Sequence, residues 1–279
     1  MLQAAINFMV PMEEKPTYVI DAEKGTPEEN MKYEPQTVPI ANARILNPLP
    51  KLDIEGFEIV RHQTAVENLY DKASVEGRYY PEMQELVRRT TGAKLVVAFD
   101  WNARSSAVKG RDGGTVRKEV GDQQVYDAAQ TQPPARLAHT DYTARSSADR
   151  IISVMGKETA ADLLTRRFAL INVWKPIRGP VRQAPLSMCD YRSVGDRDLV
   201  LADLVYPDRV GEVAMVTYNA NQKWFYYPEM LADEALLFKC YDSDSDRAST
   251  VPHTAIDDPI FGSDAPPRES IEVRTMAFF

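Results

Sequence analysis

The sequence predicts an α+β chain that is mainly β, a barrel or sandwich supported by helices. Three observations carry this. Helical periodicity is confined to residues 63–92 and 146–167. From Phe168 onward, short runs rich in Val, Ile, Phe, Tyr and Trp are broken by Pro, Gly, Asn and Asp. No linker-like stretch separates the two parts, so residues 1–279 read as one domain, with 1–90 as a wrapping segment plus helices and 91–279 as the core with inserted helices.

Taken in order, residues 1–55 are rich in proline (Pro11, Pro16, Pro27, Pro35, Pro39, Pro48, Pro50). They read as irregular structure with short strand pieces at 18–20 and 44–46. Thr64 and Glu67 have capping-box spacing at the start of a helix, and Pro81 opens a second one. Met83, Leu86 and Val87 repeat there at helical spacing. Residues 94–101 read as a strand. Residues 105–123 carry Gly110, Gly113, Gly114 and Gly121 among charges and read as a mobile loop; the Gly-Lys-Ser/Thr ending of a phosphate-binding loop is missing. Gly156 divides helices at 146–155 and 158–167. Strands are expected at 168–177, 186–190, 213–218, 224–227, 236–241 and 270–279, while 198–206 is ambiguous between strand and helix.

The 41 acidic and 33 basic residues give a net charge of −8. That argues against nucleic-acid binding, which needs a basic face to displace counterions. The cluster Lys109, Arg111, Arg117, Lys118 is mixed with glycine and acid and reads as a solvated loop. No window approaches the roughly 20 consecutive apolar residues of a membrane-spanning helix. The N-terminus lacks the basic start of a signal peptide, so a cytoplasmic location is expected. A homo-oligomer is compatible with the sequence but not required by it. Cys189 and Cys240 are too few for a disulfide framework and read as small buried residues.

Side chains two apart on a strand share a face, so His139 and Asp141 point the same way. A histidine from another strand would complete two imidazoles and one carboxylate on one face of an octahedron, the arrangement of non-haem Fe(II) oxygenases. Only His62 and His253 could supply it. His62 sits in a charged stretch and reads as a surface residue; His253, in a short strand-like piece, is the better candidate. Three protein ligands plus water would also suit zinc, so a hydrolase or isomerase, or a non-enzymatic small-molecule binder, stand as alternatives.

Shortly after His253 comes Arg268-Glu269-Ser270-Ile271-Glu272-Val273-Arg274. A guanidinium fork with a neighbouring hydroxyl can hold a carboxylate. Arg268 with Ser270 is therefore the expected clamp for the distal carboxylate of 2-oxoglutarate, with Arg274 as the other candidate; the bland alternative is a surface strand with an Arg274–Glu272 ion pair. Tyr142, Asn172 and Trp174 are candidate substrate contacts. The run Trp224-Phe225-Tyr226-Tyr227 reads as barrel packing. Asp242 to Asp246 starts like a calcium loop, but its sixth position is Arg247 rather than glycine, so it reads as a solvated turn.

The stretches His139-Thr140-Asp141-Tyr142-Thr143, Asn172-Val173-Trp174-Lys175-Pro176-Ile177 with Gly179-Pro180, Cys189-Asp190, Lys239-Cys240-Tyr241-Asp242-Ser243, Pro252-His253-Thr254-Ala255 and Arg268-Glu269-Ser270-Ile271-Glu272 resemble, in this order, the AsaB-like hydroxylase/desaturase family, related to the cephem methoxylase component CmcJ. The resemblance covers roughly residues 90–279. It implies a double-stranded β-helix of the jelly-roll or cupin type. It also implies an oxidoreductase of specialised metabolism, common in fungi, that hydroxylates, desaturates or oxidatively cyclises a small organic substrate. Fe(II), 2-oxoglutarate and O₂ would serve it, with His139, Asp141 and His253 at the metal and with release of succinate and CO₂.

Overall fold

The computed structural model describes residues 1–19, 28–108, 131–207, 209–262 and 264–279. Most of the glycine-rich stretch, with its basic cluster, lies outside the described residues. The described strands fall into two sheets, and helices are few.

The five-stranded sheet runs β4 (Phe57–Arg61), β12 (Glu234–Asp242), β7 (Phe168–Pro176), β14 (Glu269–Phe278), β5 (Leu95–Ser105), all antiparallel. Alternation gives it two unlike faces. One carries Trp101, Ala103, Ile171, Val173, Leu237, Ile271 and Val273, and buries them against Met83, Leu86 and Val87 of the helix α2 (Tyr80–Thr91). The other face holds Leu236, Phe238, Leu170, Trp174 and Met276 in a second core, together with buried polar residues Asn172, Glu272 and Arg274. Central strands covered on both sides read as near-continuous apolar runs, and β7 and β12 do.

Both irregularities in this sheet lie beside that second face. Between Arg274 and Thr275 of β14, the partner strand β5 jumps from Asp100 to Ala98, leaving Phe99 as an extra residue. Between Lys239 and Tyr241 of β12, Cys240 is the extra residue opposite β7. A bulge re-aims side chains that strict alternation would misplace.

The nine-stranded sheet runs β1 (Leu2–Met9), β3 (Tyr33–Asn42), β11 (Trp224–Tyr226), β8 (Leu186–Cys189), β13 (His253–Ala255), β6 (His139–Thr140), β10 (Val210–Val216), β9 (Leu199–Val205), β2 (Thr17–Val19). The ambiguous stretch 198–206 is therefore the strand β9. Trp224, Tyr226 and Tyr227 are buried, as barrel packing requires.

Several expectations need correction, among them the strand piece at 44–46, where Ala43–Ile45 form a 3₁₀ turn. The N-terminal segment is not irregular: β1 and β3 are strands of 8 and 10 residues, paired over their whole length. Proline misled because β3 has a second partner only from Ile40 onward. Pro35 and Pro39, four apart, turn their donor-less nitrogens to the same open side and cost no ladder bond. Thr64 does not cap a helix. Its hydroxyl donates to Glu82, and the first helix, α1 (Lys72–Ser74), is capped by Asp71, whose carboxylate accepts from the Ser74 N–H at 2.7 Å. A π turn, Val75–Tyr79, joins α1 to α2, and Gly92 ends α2 at φ 75°. Asp242 is not in a solvated turn: it is buried and accepts from Lys239 and Arg167.

The two helices divided by Gly156 form as expected, α3 (Ala144–Met155) and α4 (Lys157–Leu163). Thr143 caps α3 in a capping box with Ser146. No helix among the described residues is long and apolar enough to cross a membrane.

Gly56 precedes β4 at φ 94°, and a Cβ there would lie 2.3 Å from Cγ2 of Val251. Gly56→Ala combines left-handed strain with overpacking, so it should cost about 2–3 kcal/mol, read as a lower urea midpoint at unchanged m-value. Gly77→Ala, with nothing within 4 Å, is the control and should shift the midpoint little.

Candidate metal centre

The strands β13 and β6 pair with His253 directly opposite His139. The row continues to Met188 on β8 and Met215 on β10. Directly opposed residues share a face, so both imidazoles project from the same side of the sheet; their ring centroids are 4.5 Å apart. Phe238, from the facing sheet, packs on His253 at 4.7 Å.

Each ring is oriented in the same way. Nδ1 of His139 lies 2.7 Å from the Leu137 carbonyl, and Nδ1 of His253 lies 3.0 Å from the Val251 carbonyl. A carbonyl only accepts, so Nδ1 carries a proton in both rings, and Nε2 is the atom each ring can offer to a metal. Both Nε2 atoms face Oδ1 of Asp141, at 3.4 Å from His139 and 3.9 Å from His253. One ligand atom from each of the three residues falls within 4.8 Å of the others.

Asp141 sits just past the end of β6, and its second oxygen is held separately. Oδ2 accepts from Nδ2 of Asn172 at 2.6 Å and from Nε of Arg274 at 3.4 Å. Cys240, the bulge residue, brings its thiol to 3.9 Å from the same oxygen. Burial opposes the charge on Asp141, but its neighbours, the Arg274 guanidinium foremost, outweigh it and hold the carboxyl well below its usual range. Burial, then the neighbouring His139, push His253 down to about 4, so it is neutral at physiological pH. These are the protonation states that ligation needs.

His62 lies outside this cluster, as expected, but it is not a surface residue. Its side chain is 11% exposed and its Nε2 lies 3.5 Å from Glu82.

Two cavities meet at His139 and Asp141. The larger, about 260 Å³, is bordered by His139, Asp141, Tyr142, Met215 and Arg150 among others. The smaller, about 30 Å³, is bordered by both histidines, Asp141, Trp174, Leu186 and Arg268. Arg104 and Arg274 border both.

The remaining predicted residues divide between these spaces. Arg268 is 3% exposed. It donates to the Ala184 carbonyl at 2.6 Å and lies 5.6 Å above the Trp174 ring, while its Nε has no partner. Among the described residues no carboxylate pairs with it. Burial and the nearby Arg104 push it down to about 9, which leaves it a cation at neutral pH. Arg274 is committed elsewhere: it donates to Asp100 at 2.7 Å and lies 3.4 Å from both Asp141 and Glu272. The Arg274–Glu272 pair thus exists, but inside the molecule. Ser270 is buried beside Pro176 and Arg104 in register and borders neither cavity. Tyr142 borders the larger cavity, edge-on to Phe99. Trp174 borders the smaller one. Asn172 turns to Asp141 rather than to either cavity.

Sequence reasoning missed Asp100, Phe99 and Arg104. Asp100 could have been found as an acid inside an apolar strand; the other two depend on a bulge and on cross-strand register, which carry no local signal.

Two imidazoles and one ionised carboxylate, each oriented by a separate hydrogen bond, fit a divalent ion of borderline softness such as ferrous iron.

Residues 6–278 match the family described as oxidoreductase/YMDC permease-like domain. The hydroxylase/desaturase efuI of Hormonema carpetanum is 32% identical over 261 residues, covering 89% of this chain and 85% of that protein. The hydroxylase/desaturase asaB of Aspergillus flavus is 38% identical over 138 residues, covering 43% of this chain and 59% of its own. The solved structure of the iron and alpha-ketoglutarate-dependent endoperoxidase NvfI, a protein of Aspergillus novofumigatus, superposes with a TM-score of 0.84 at 28% identity, covering 99% of this chain and 97% of its own. The chain belongs to this oxidoreductase family and, within it, to the fungal AsaB-like hydroxylase/desaturases, the Fe(II)/2-oxoglutarate-dependent dioxygenases of secondary metabolism.

Proposed function

We propose that His139, Asp141 and His253 hold Fe(II), and that Arg268 anchors the distal carboxylate of 2-oxoglutarate in the smaller cavity. A small organic substrate is then hydroxylated, desaturated or oxidatively cyclised in the larger cavity. The observation that carries this is the pair of Nδ1–H bonds to the carbonyls two residues back, which turn both Nε2 atoms toward Asp141 Oδ1. What bound iron, 2-oxoglutarate and O₂ supply is a two-electron oxidation of the substrate, with release of succinate and CO₂.

The chain's own residues prepare the ground. Asn172 and Arg274 occupy Oδ2 of Asp141, keeping the carboxylate ionised and its Oδ1 free for the metal. Arg268 is a buried cation with unused donors, and a buried unpaired charge is costly until an anion joins it. Trp174 fixes the guanidinium by stacking. Met188, Met215 and Phe238 wall the histidines with apolar groups that exclude water.

The same reading extends to the fold. Leaving out β9 and β10, the strands β5 to β8 and β11 to β14 change sheet at every step except β8 to β11, and pair as β5-β14-β7-β12 and β6-β13-β8-β11. That order supports a double-stranded β-helix of the jelly-roll or cupin type. Because β1, β3 and β4 complete both sheets, residues 1–279 are taken as one domain. The free, buried Cys189 and Cys240 suit a reducing, cytoplasmic setting.

Two measurements test the assignment without knowledge of the substrate. Anaerobic Fe(II) titration should give one ion per wild-type chain and none for Asp141→Ala or His253→Ala; Asn172→Ala should weaken iron binding about 10- to 100-fold. Iron held at full affinity by His253→Ala would sink the site. Calorimetry of the iron-loaded protein with 2-oxoglutarate separates the arginines. Arg268→Ala should weaken cosubstrate binding about 30-fold or more, the cost of truncating one partner of a buried charge pair. Arg274→Ala should act mainly on iron affinity. The reverse ranking would hand the clamp to Arg274.

A further inference from the structure

The larger cavity contains a cation that neither the fold nor the proposed chemistry uses. Arg150, on α3, is half-buried and borders the cavity together with His139, Asp141 and Tyr142. Its Nε is fully buried and has no hydrogen-bond partner. Among the described residues no carboxylate or carbonyl accepts from it. It lies against the ring of Phe99, whose centroid is 5.0 Å from the guanidinium carbon.

The other charges around the cavity have partners, Arg209 among them, its guanidinium carbon 4.1 Å from the centroid of the Tyr206 ring. Asp100 accepts from Arg274. Glu212 accepts from Thr143 and lies near Lys15. Asp149 lies near Arg145. Arg104 donates to the Pro133 carbonyl. Asp141 belongs to the metal centre. Arg150 is thus a donor group placed at a cavity wall, and among the described residues nothing receives its protons.

A buried donor left unpaired is costly, and a guanidinium stacked on an aromatic ring has its plane fixed while its edge stays available. That edge matches two oxygens of a carboxylate. The stack also places it. Phe99, the bulge residue of β5, touches Arg150 on one side and Tyr142 on the other, and Tyr142 follows the ligand Asp141. Met31, Leu137, Leu204 and Met215 supply apolar wall in the same cavity.

We infer that Arg150 is a substrate-binding residue and that the substrate is an amphipathic acid, its apolar body in the larger cavity and its carboxylate on Arg150. This rests on the larger cavity being the substrate site. Ligand binding tests it separately from iron and cosubstrate binding.

The probes are aryl- and alkyl-alkanoic acids of graded length, such as 4-phenylbutyrate and octanoate, each with its methyl ester. They are titrated by calorimetry into the anaerobic protein loaded with iron and 2-oxoglutarate. At least one acid should bind wild type tenfold or more tighter than its ester. Arg150→Gln should erase that preference, and Arg150→Lys, which keeps the charge but not the fork, should restore part of it. Thermal melts of both variants, and their affinity for 2-oxoglutarate, should match wild type. The inference is overturned if no acid outbinds its ester in wild type, or if the preference survives in Arg150→Gln. It is overturned equally if Arg150→Gln weakens 2-oxoglutarate while leaving the acid preference intact, since Arg150 would then serve the cosubstrate. If wild type fails to take up iron or 2-oxoglutarate, the proposed function fails instead; the same acid–ester titration of the protein without them still decides the role of Arg150.

Discussion

The centre of this molecule is one ionised carboxylate kept inside the protein. Asp141 is 12% exposed, and an isolated charge there would be costly enough to favour its protonated form. It stays ionised because its two oxygens are treated differently. Oδ2 receives hydrogen bonds from Asn172 and Arg274, while Oδ1 faces two imidazoles whose outward nitrogens are already bonded to backbone. Much of the surrounding architecture serves that asymmetry. Arg274 cannot approach Asp141 unless β14 lies between β5 and β7. Asn172 cannot reach it unless β7 presents even-numbered residues to the interior.

That requirement explains why the five-stranded sheet has such different faces. The face against α2 is largely apolar, and its register is set mainly by burial. The opposite face mixes Leu236, Phe238 and Met276 with Asp100, Asn172, Glu272 and Arg274. A one-residue slip of β14 would send Arg274 and Glu272 into the apolar layer and bring Val273 to Asp141, so both faces penalise the same error. Burial pulls Glu272 toward its protonated form while Arg274 opposes this, which shows how closely balanced the polar belt is. The two bulges complete it. Without the extra Phe99 and Cys240, alternation could not supply both an aromatic platform for Arg150 and a thiol against Asp141 from strands already committed to Asp100 and Phe238.

The metal triad was legible in the sequence because two local signals coincide. His139 and Asp141 are two apart in strand-like context, and only three histidines exist. Elimination then selected His253, although nothing local says that it pairs directly with His139. Much of the β-rich half was legible for a similar reason, since buried central strands are continuous apolar runs. The N-terminal strands were obscured by proline, whose cost depends on whether a neighbour strand occupies its open side. Thr64 was misread because its hydroxyl was committed to Glu82, a partner 18 residues away.

The arginines mark the limit of sequence reading most clearly. Arg268 and Arg274 lie six apart, with the same parity on the same strand path, so alternation gives them equal standing. Their roles separate only through what lies across from them. The register of β5 sets Asp100 opposite Arg274 and so neutralises it. Arg268 precedes β14, where the adjacent groups are a carbonyl and an indole ring, and so remains an uncompensated cation. Arg150 differs again, because its platform Phe99 is the extra residue in β5. In each case charge pairing decides function, and the pairing is set by strand register between segments distant in sequence. Residue type names the candidates for anion binding; topology determines which of them still has a positive charge to offer.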